Sequence, residues 1–318
     1  MTDSIVVSII NYRTAELTVQ CVQSVLDDIG DLAVHVVVVD NASGDGSDDH
    51  IAGWIAAQDP PVPVTLVRSA VNGGFSAGHN LGFAARAGEY YLVLNSDAVL
   101  TPGFLQTLLT SAKAHPEAGL IAPRLTDPDG TPQISCFRFA SPASEFIRSA
   151  RTGIVTRVLQ RFDVSLGTEP DLARIEWASF ACILLRAEMI AAIGPMDEGY
   201  FLYFEDAEYC LRARRAGWRI HFAPRARAIH FRGGSGPVKS LAKAGKRMPD
   251  YYYASRARFL RQAHGRFGPL RANLCWMGGR LLAQLRRLVG KPVNPMNEAE
   301  ARDIWIGTFA RAREAGSP

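Results

Sequence analysis

Four groups of residues in this sequence are of types that could do chemistry. The apolar run YYLVL at 90–94 stops abruptly at Asn95, Ser96 and Asp97. A carboxylate just past a strand can ligate Mg2+ or Mn2+, hard cations that take carboxylate oxygens together with substrate phosphates. The same position also suits a cap for a helix beginning near Pro102. Asp40 ends VHVVVVD beside Asn41; it offers directed acceptors to a nucleotide base or ribose, or closes an Asx turn into the GDGS loop. Glu205 and Asp206 open EDAEYCLRARRAG, where one carboxylate could deprotonate an attacking hydroxyl. Their acid-to-base order along a helix is equally what an N-cap and the macrodipole favour. His230 ends a short apolar strand before FRGGSG and could ligate a metal, contact phosphate, or be a partly buried structural histidine. His221, among apolar residues, reads as structural. Together these carboxylates, amides and one histidine suit a nucleotide diphosphate held by a divalent metal.

Other chemistries lack their motifs. NGGFSAGHN does not have the GxGxxG order expected after a first strand, and no GxxxxGK[ST] occurs, so neither a nicotinamide cofactor nor a P-loop is supported. There is no GxSxG elbow. The five cysteines, Cys21, Cys136, Cys182, Cys210 and Cys275, show no CxxC spacing, which fits reduced core thiols and no zinc site.

The elements that must hold these groups alternate two hydrophobic periods. SIVVSII, VHVVVVD, PVTLVRS and YYLVLNSD read as buried strands, with helices in TAELTVQCVQSVL, GDGSDDHIAGWIAA and FSAGHNLGFAARA. Such alternation implies a Rossmann-like α/β fold with a mostly parallel sheet covered on both faces. Ligands bind at the carboxyl ends of such strands. Asn11 and Tyr12, Asp40 and Asn41, the Asn72–Asn80 stretch with Gly74, and Asn95 to Asp97 all fall on that edge. From Arg124 to about Asp171 the pattern weakens and reads as an irregular insertion. IEWASFACILLR then reads as a strand, AEMIAAIG as a short helix, and WRIHFAP and ARAIHF as two short strands.

Of 318 residues, 47% are hydrophobic and 21% charged, a globular composition. No apolar run approaches the ~20 residues that span a bilayer, and Asp3 with no basic region at the start argues for a first strand over a signal peptide. A cytoplasmic location is expected. Charge is polarised: residues 1–208 hold 12 Lys and Arg against 26 Asp and Glu, whereas residues 209–318 hold 23 against 5. The basic part predicts an anionic partner. In LRANLCWMGGRLLAQLRRLV, residues Leu270, Leu274, Met277, Leu281, Leu285 and Leu288 share one helical face. That helix either lies in a membrane interface, making the protein peripheral on the inner face of the cell membrane, or docks on the main domain with its basic side in water.

The segments VSIINYRTAELTVQCVQSVL, VVVVDNASGDGS, NGGFSAGHNLGF, YLVLNSDAVLTPGFL, WASFACILLRAEMIAAIGPMDEGYFLYFEDAEYCLRARRAGWRI and AIHFRGGS, in this order over about residues 4–236, resemble glycosyltransferase family 2, in particular its rhamnosyltransferase-type members. The resemblance implies a GT-A domain over 1–236, with a nucleotide-binding half at 1–100 and an acceptor half at 101–236, followed by a basic helical extension at 237–318. It implies a nucleotide-diphosphate sugar donor, dTDP-rhamnose being the leading expectation, a Mg2+ or Mn2+ ion, inversion at the anomeric carbon, and a glycan or polyprenyl-diphosphate-linked acceptor in cell-envelope polysaccharide synthesis. By motif position, Asn11, Tyr12, Asp40, Asn72, Gly74, Asn80, Asn95, Ser96 and Asp97 would bind donor, Asp40 at the base. Asp97 and His230 would hold the metal, Asp206 would be the base supported by Glu205, and Trp177 would line the sugar or acceptor pocket. The triplet departs from a full DxD because Asn95 replaces its first carboxylate. A sugar-phosphate nucleotidyltransferase and a non-catalytic nucleotide- or glycan-binding protein are the alternative readings.

Overall fold

The computed structural model describes residues 4–231, 238–288, 290, 291, 293 and 295–310. The first half runs β1 (Ser4–Asn11), α1 (Ala15–Leu26), β2 (Ala33–Asp40), α2 (Ser47–Ala56), β3 (Val64–Arg68), α3 (Gly74–Ala85), β4 (Tyr90–Asn95), β5 (Ala98–Leu100), α4 (Phe104–Ala114) and β6 (Ala118–Thr126). The second runs β7 (Cys136–Phe137), α5 (Pro142–Ala150), α6 (Gly153–Val158), β8 (Trp177–Ala178), β9 (Cys182–Arg186), α7 (Ala187–Ile193), α8 (Glu205–Arg215) and β10 (Arg219–His230). The C-terminal part is α9 (Val238–Lys243), α10 (Asp250–His264), α11 (Gly268–Leu288) and α12 (Glu300–Asp303).

Among the described residues the central sheet has eight strands in the order β3-β2-β1-β4-β9-β6-β10-β5. β3, β2, β1 and β4 are parallel, as the continuous apolar strands require. β9 enters antiparallel between β4 and β6. Alternate residues of each strand face opposite layers. Ile5, Val7 and Ile9 pack with Cys21, Val25 and Leu108 from α1 and α4; Val6, Val93 and Ile183 pack with Met189, Tyr209 and Cys210 from α7 and α8. Four of the five cysteines are buried in these layers and all five are free thiols.

Three local expectations change. WRIHFAP and ARAIHF form one strand, β10, whose pairing with β6 shifts register between Ala223 and Arg227. IEWASFACILLR divides into β8 and β9 because Ser179 to Ala181 turn the chain between the two sheets. The weakly patterned 124–171 stretch contains α5, whose start is fixed by a reciprocal capping box between Ser141 and Ser144 with Pro142 in the first turn. The glycine-rich segment after His230, residues 232–236, lies outside the described residues, as does the 236/237 boundary between domain and extension.

The C-terminal helices pack against α8 and α5. α10 brings Phe259 against Tyr200, Ala207 and Leu211. α11 lies along α5, and Gly279 permits this: a Cβ there would sit 2.1 Å from Ser149 Oγ and 2.5 Å from the Phe146 carbonyl oxygen. The pair Gly278–Gly279, costly for an isolated helix by about 1 kcal/mol per residue, therefore includes a position where close packing needs glycine. No described helix is long and apolar enough to cross a membrane.

Candidate active site

The carboxyl ends of β1, β2 and β4 open into two adjoining cavities of about 300 and 270 Å³. The first is lined by Tyr12, Asn41, Asn72, Phe75, His79 and Tyr251, among others. The second is lined by Asp97, Gln133, Trp177, Glu205, Asp206 and His230, among others. Phe75, Asn95 and Leu202 belong to both walls. The Asn95–Asp97 triplet thus stands where the two meet, with Ser96 facing the first cavity and Asp97 the second.

The residues expected to bind donor divide into those that line the first cavity and those that do not. Tyr12, Asn72, Gly74, Asn95 and Ser96 line it. Asn11 and Asp40 do not: Asn11 Nδ2 donates to Asp40 Oδ1 at 2.7 Å, and Ser43 Oγ and N donate to the same carboxylate at 2.6 and 3.1 Å. Asn11 Oδ1 in turn accepts from the Thr14 amide and the Thr18 hydroxyl, fixing the first turn of α1. Asn80 lies away from the cavity walls. Its amide donates to the Met196 carbonyl and Glu198 and accepts from the Met196 amide, tying α3 to the 196–198 loop.

Two residues at the first cavity, placed by the sequence on this edge but given no role of their own there, carry polar atoms without a partner among the described residues. Asn41 Oδ1 is buried with no hydrogen-bond partner among the described residues, while its Nδ2 donates to Asn72 Oδ1 and the Gly74 carbonyl. His79 is fully buried, its Nδ1 is 2.8 Å from Ser8 Oγ, its Nε2 has no partner among the described residues, and burial lowers its pKa to about 3. A buried polar atom without a partner is costly, so a ligand that pairs with Asn41 Oδ1 would relieve that cost. Its signal in sequence was position alone, next to Asp40.

Gly74 brings the start of α3 against the loop at Phe201. Its φ is +83°, and a Cβ would stand 2.1 Å from the Phe201 carbonyl oxygen, which accepts the Phe75 amide at 2.8 Å. Gly74→Ala is expected to cost about 1–3 kcal/mol from backbone conformation alone, with the backbone clash added. Thermal unfolding should show a lowered midpoint and nucleotide titration a weakened affinity, since Phe201 and Leu202 line the donor cavity.

Asp97 is 1% exposed, and its Oδ1 lies 3.4 Å from His230 Nε2. Gln133, from the stretch read as an insertion, sets the imidazole. Its Nε2 donates to the carbonyls of Thr126 and His230 and to Asp127, so Oε1 must be the atom 3.2 Å from His230 Nδ1. An amide oxygen only accepts; Nδ1 therefore carries the proton, and in the neutral ring the Nε2 lone pair faces Asp97. This is the support that metal-ligating histidines receive. Among the described residues no group of three or more His, Cys, Asp or Glu could hold a metal, so the described residues offer at most a pair such as Asp97 and His230 here.

Glu205 and Asp206 open α8 after Tyr203 and Phe204, both with positive φ, 70° and 69°. Large side chains there are strained. The aromatic rings of α10 cover the bend: Tyr203 stacks on Tyr251, and Phe204 on Phe259. Burial raises the Asp206 carboxyl to about 7, against hydrogen bonds from backbone amides that lower it. Burial, then the neighbouring Asp206, raises Glu205 well above the usual range. Burial thus disfavours the charged form of both carboxyls, and brings Asp206 to where it can exchange a proton near neutral pH. Trp177 lines the same cavity, stacked on Phe137 and donating its indole N–H to the Arg138 carbonyl.

The chain is similar to known proteins. Residues 4–158 match the family described as Glycosyl transferase family 2. The N-acetylglucosaminyl-diphospho-decaprenol L-rhamnosyltransferase of Mycobacterium tuberculosis (strain CDC 1551 / Oshkosh) is 30% identical over 228 residues, covering 66% of this chain and 71% of that one. The low-salt glycan biosynthesis hexosyltransferase Agl10 of Haloferax volcanii is 26% identical over 234 residues, 72% and 68% of the two chains. The mannosyltransferase PcManGT of Pyrobaculum calidifontis, solved with GDP-Man and Mn2+, superposes over 92% of this chain and 77% of that one with a TM-score of 0.58 at 15% identity. The expected GT-A fold is the one observed, and the extent of these matches establishes that the chain belongs to glycosyltransferase family 2 and is a glycosyltransferase.

Proposed function

We propose that the protein transfers a sugar, with L-rhamnose from dTDP-rhamnose the leading candidate, to a glycan or polyprenyl-diphosphate-linked acceptor in cell-envelope synthesis, by a metal-assisted, inverting displacement. The observation that carries the reading is the pair of joined cavities, one with an aromatic and amide wall suited to a nucleotide, the other holding Asp97, His230 and the Glu205–Asp206 pair. The rhamnose and polyprenyl assignments draw on the name of the mycobacterial relative.

Asp97 and His230 fit a hard divalent cation whose remaining ligands are diphosphate oxygens and water. Bound there, the ion would neutralise charge on the leaving diphosphate. The chain's own residues do the rest. Tyr12, Phe75 and Tyr251 enclose the nucleotide, and Asn41 offers its unfilled acceptor. Asp206 takes the proton from the acceptor hydroxyl, whose oxygen attacks the anomeric carbon from the face opposite the diphosphate. Glu205, whose carboxyl burial raises, supports Asp206 as the base, and Trp177 packs against the sugar or acceptor. Residues 1–236 carry this machinery, and the extension completes it through Tyr251.

Calorimetric titration of dTDP, UDP and GDP with Mn2+, Mg2+ or EDTA tests the site. Selective, metal-dependent binding, lost in Asp97→Ala, is the expected result. Equal binding in EDTA would remove the metal assignment. Binding of none of the three by folded protein would remove the nucleotide-sugar reading.

A further inference from the structure

We infer that α11 seats the protein on an anionic lipid surface through an apolar stripe that faces away from the rest of the molecule. The helix has 21 residues, about 30 Å at 1.5 Å per residue. Its packed side is made of Gly268, Ala272, Asn273, Trp276, Gly279 and Ala283, all buried. The leucine-rich face lies on nearly the opposite side. Leu274, Met277, Leu281, Leu285 and Leu288 are 55, 48, 61, 52 and 81% exposed. Membrane binding and docking on the domain were posed as alternatives; the helix docks through Trp276 and small residues such as Ala272, Gly279 and Ala283, and leaves Leu274, Met277, Leu281, Leu285 and Leu288 outside.

Single exposed leucines are ordinary, whereas four with a methionine at helical spacing on one side form a patch that a water-soluble surface avoids. Charge selects what covers it. From Tyr251 to Asn297 the sequence has no acidic residue, while Arg266, Arg271, Arg280, Arg286, Arg287 and Lys291 all fall in or beside α11. By helical spacing Arg271 and Arg280 flank the stripe. Two copies apposed through this face would bring like charges together, which opposes association. A bilayer rich in anionic lipid meets both demands, because leucines enter the acyl boundary while arginines extend to headgroup phosphates. The helix would lie in the interface plane, and no described helix is long and apolar enough to cross a membrane.

The inference stands on α11 alone and does not depend on which donor or acceptor the cleft takes. Full-length protein is sedimented with vesicles of phosphatidylcholine, or of phosphatidylcholine with phosphatidylglycerol. Wild type should pellet with the anionic vesicles, far less with the neutral ones, and less as salt rises. Leu281→Ser with Leu285→Ser should lower the partition coefficient by about tenfold per leucine, and because both side chains are exposed the thermal midpoint should hold. In a second variant, Leu281→Trp, indole emission should shift to the blue when anionic vesicles are added. Equal pelleting of wild type and the double-serine variant, absence of wild-type pelleting, or unshifted emission would each overturn the inference. So would a dimer in light scattering that the serine substitutions dissolve, which would show a second copy on the stripe. Nucleotide titration of the double-serine variant separates this question from the cleft: unchanged affinity leaves the donor site standing whatever the vesicles show.

Discussion

Asp206→Asn is expected to lower the rate of sugar transfer by about a thousandfold, within the range attributed to a positioned general base, while nucleotide affinity stays at the wild-type value. The two effects separate because Asp206 lines the second cavity and is absent from the walls of the first. With its carboxyl held up to about 7 by burial, the wild-type rate should climb with pH through that value as the base ionises, and the variant should lack this limb. Stability should move the opposite way. The folded protein binds the Asp206 proton more tightly than the unfolded chain, so the contribution is full at low pH and is lost as pH rises from about 3.8 to about 7. Asparagine cannot ionise, and the variant should melt higher than wild type at neutral pH. A rate profile and a melting curve on one preparation check both. Retention of most turnover in Asp206→Asn, with its loss in Glu205→Gln, would exchange the roles of the pair.

Glu145→Gln should destabilise the protein by about 3–5 kcal/mol, the cost of breaking a buried ion pair from one side. Glu145 accepts from Arg256 Nη2 at 2.9 Å and Arg148 Nη2 at 2.8 Å; Arg256 is 1% exposed, with Asn273 Oδ1 on its other nitrogen at 2.9 Å. These contacts join α5, α10 and α11. Burial alone would raise the Glu145 carboxyl, yet Arg148 and Arg256 hold it down to about 2. Since the folded value is depressed, the stabilisation is present above about 4.5 and is lost as pH falls toward 2. Denaturant unfolding of Glu145→Gln, Arg256→Met and the double variant forms the cycle that measures it. The double variant should recover part of the loss because it buries no lone charge. Additive losses would show that the two side chains act independently.

Much of the donor side was legible because parallel strands buried on both faces leave an unbroken apolar signature, and polar residues that end them can only lie on one edge. Asn95 to Asp97 and Tyr12 were found in this way. Whether a polar residue at that edge faces the cleft or its own turn is a matter of side-chain partners, which is why Asp40 and Asn11 prove to bond to each other while neighbouring Asn41 carries the unfilled acceptor. Gln133 left no trace in the pattern, since a buried amide that fixes a histidine 97 residues away is a purely tertiary relation. Tyr251 was obscured for another reason: it opens a strongly basic segment whose composition set it apart, yet its ring lines the donor cavity and stacks on Tyr203. The face of α11 that meets α5 was likewise hidden, because small residues make the contact and the leucines do not.

The central position of β9 has a bearing on how the chain becomes active as it is made. β4 and β6 are both complete by Thr126, but the strand that joins them spans Cys182–Arg186. Until it emerges, the β3-β2-β1-β4 unit carries the open apolar edge of β4, an invitation to pair with another chain, and β6 has no place in the sheet. Such long-range closure is slow compared with local pairing. The segment matched at 4–158 is accordingly half of a folding unit: the nucleotide-facing half can assemble early, but Asp97 gains its neighbouring histidine only after the last strand, β10, has left the ribosome.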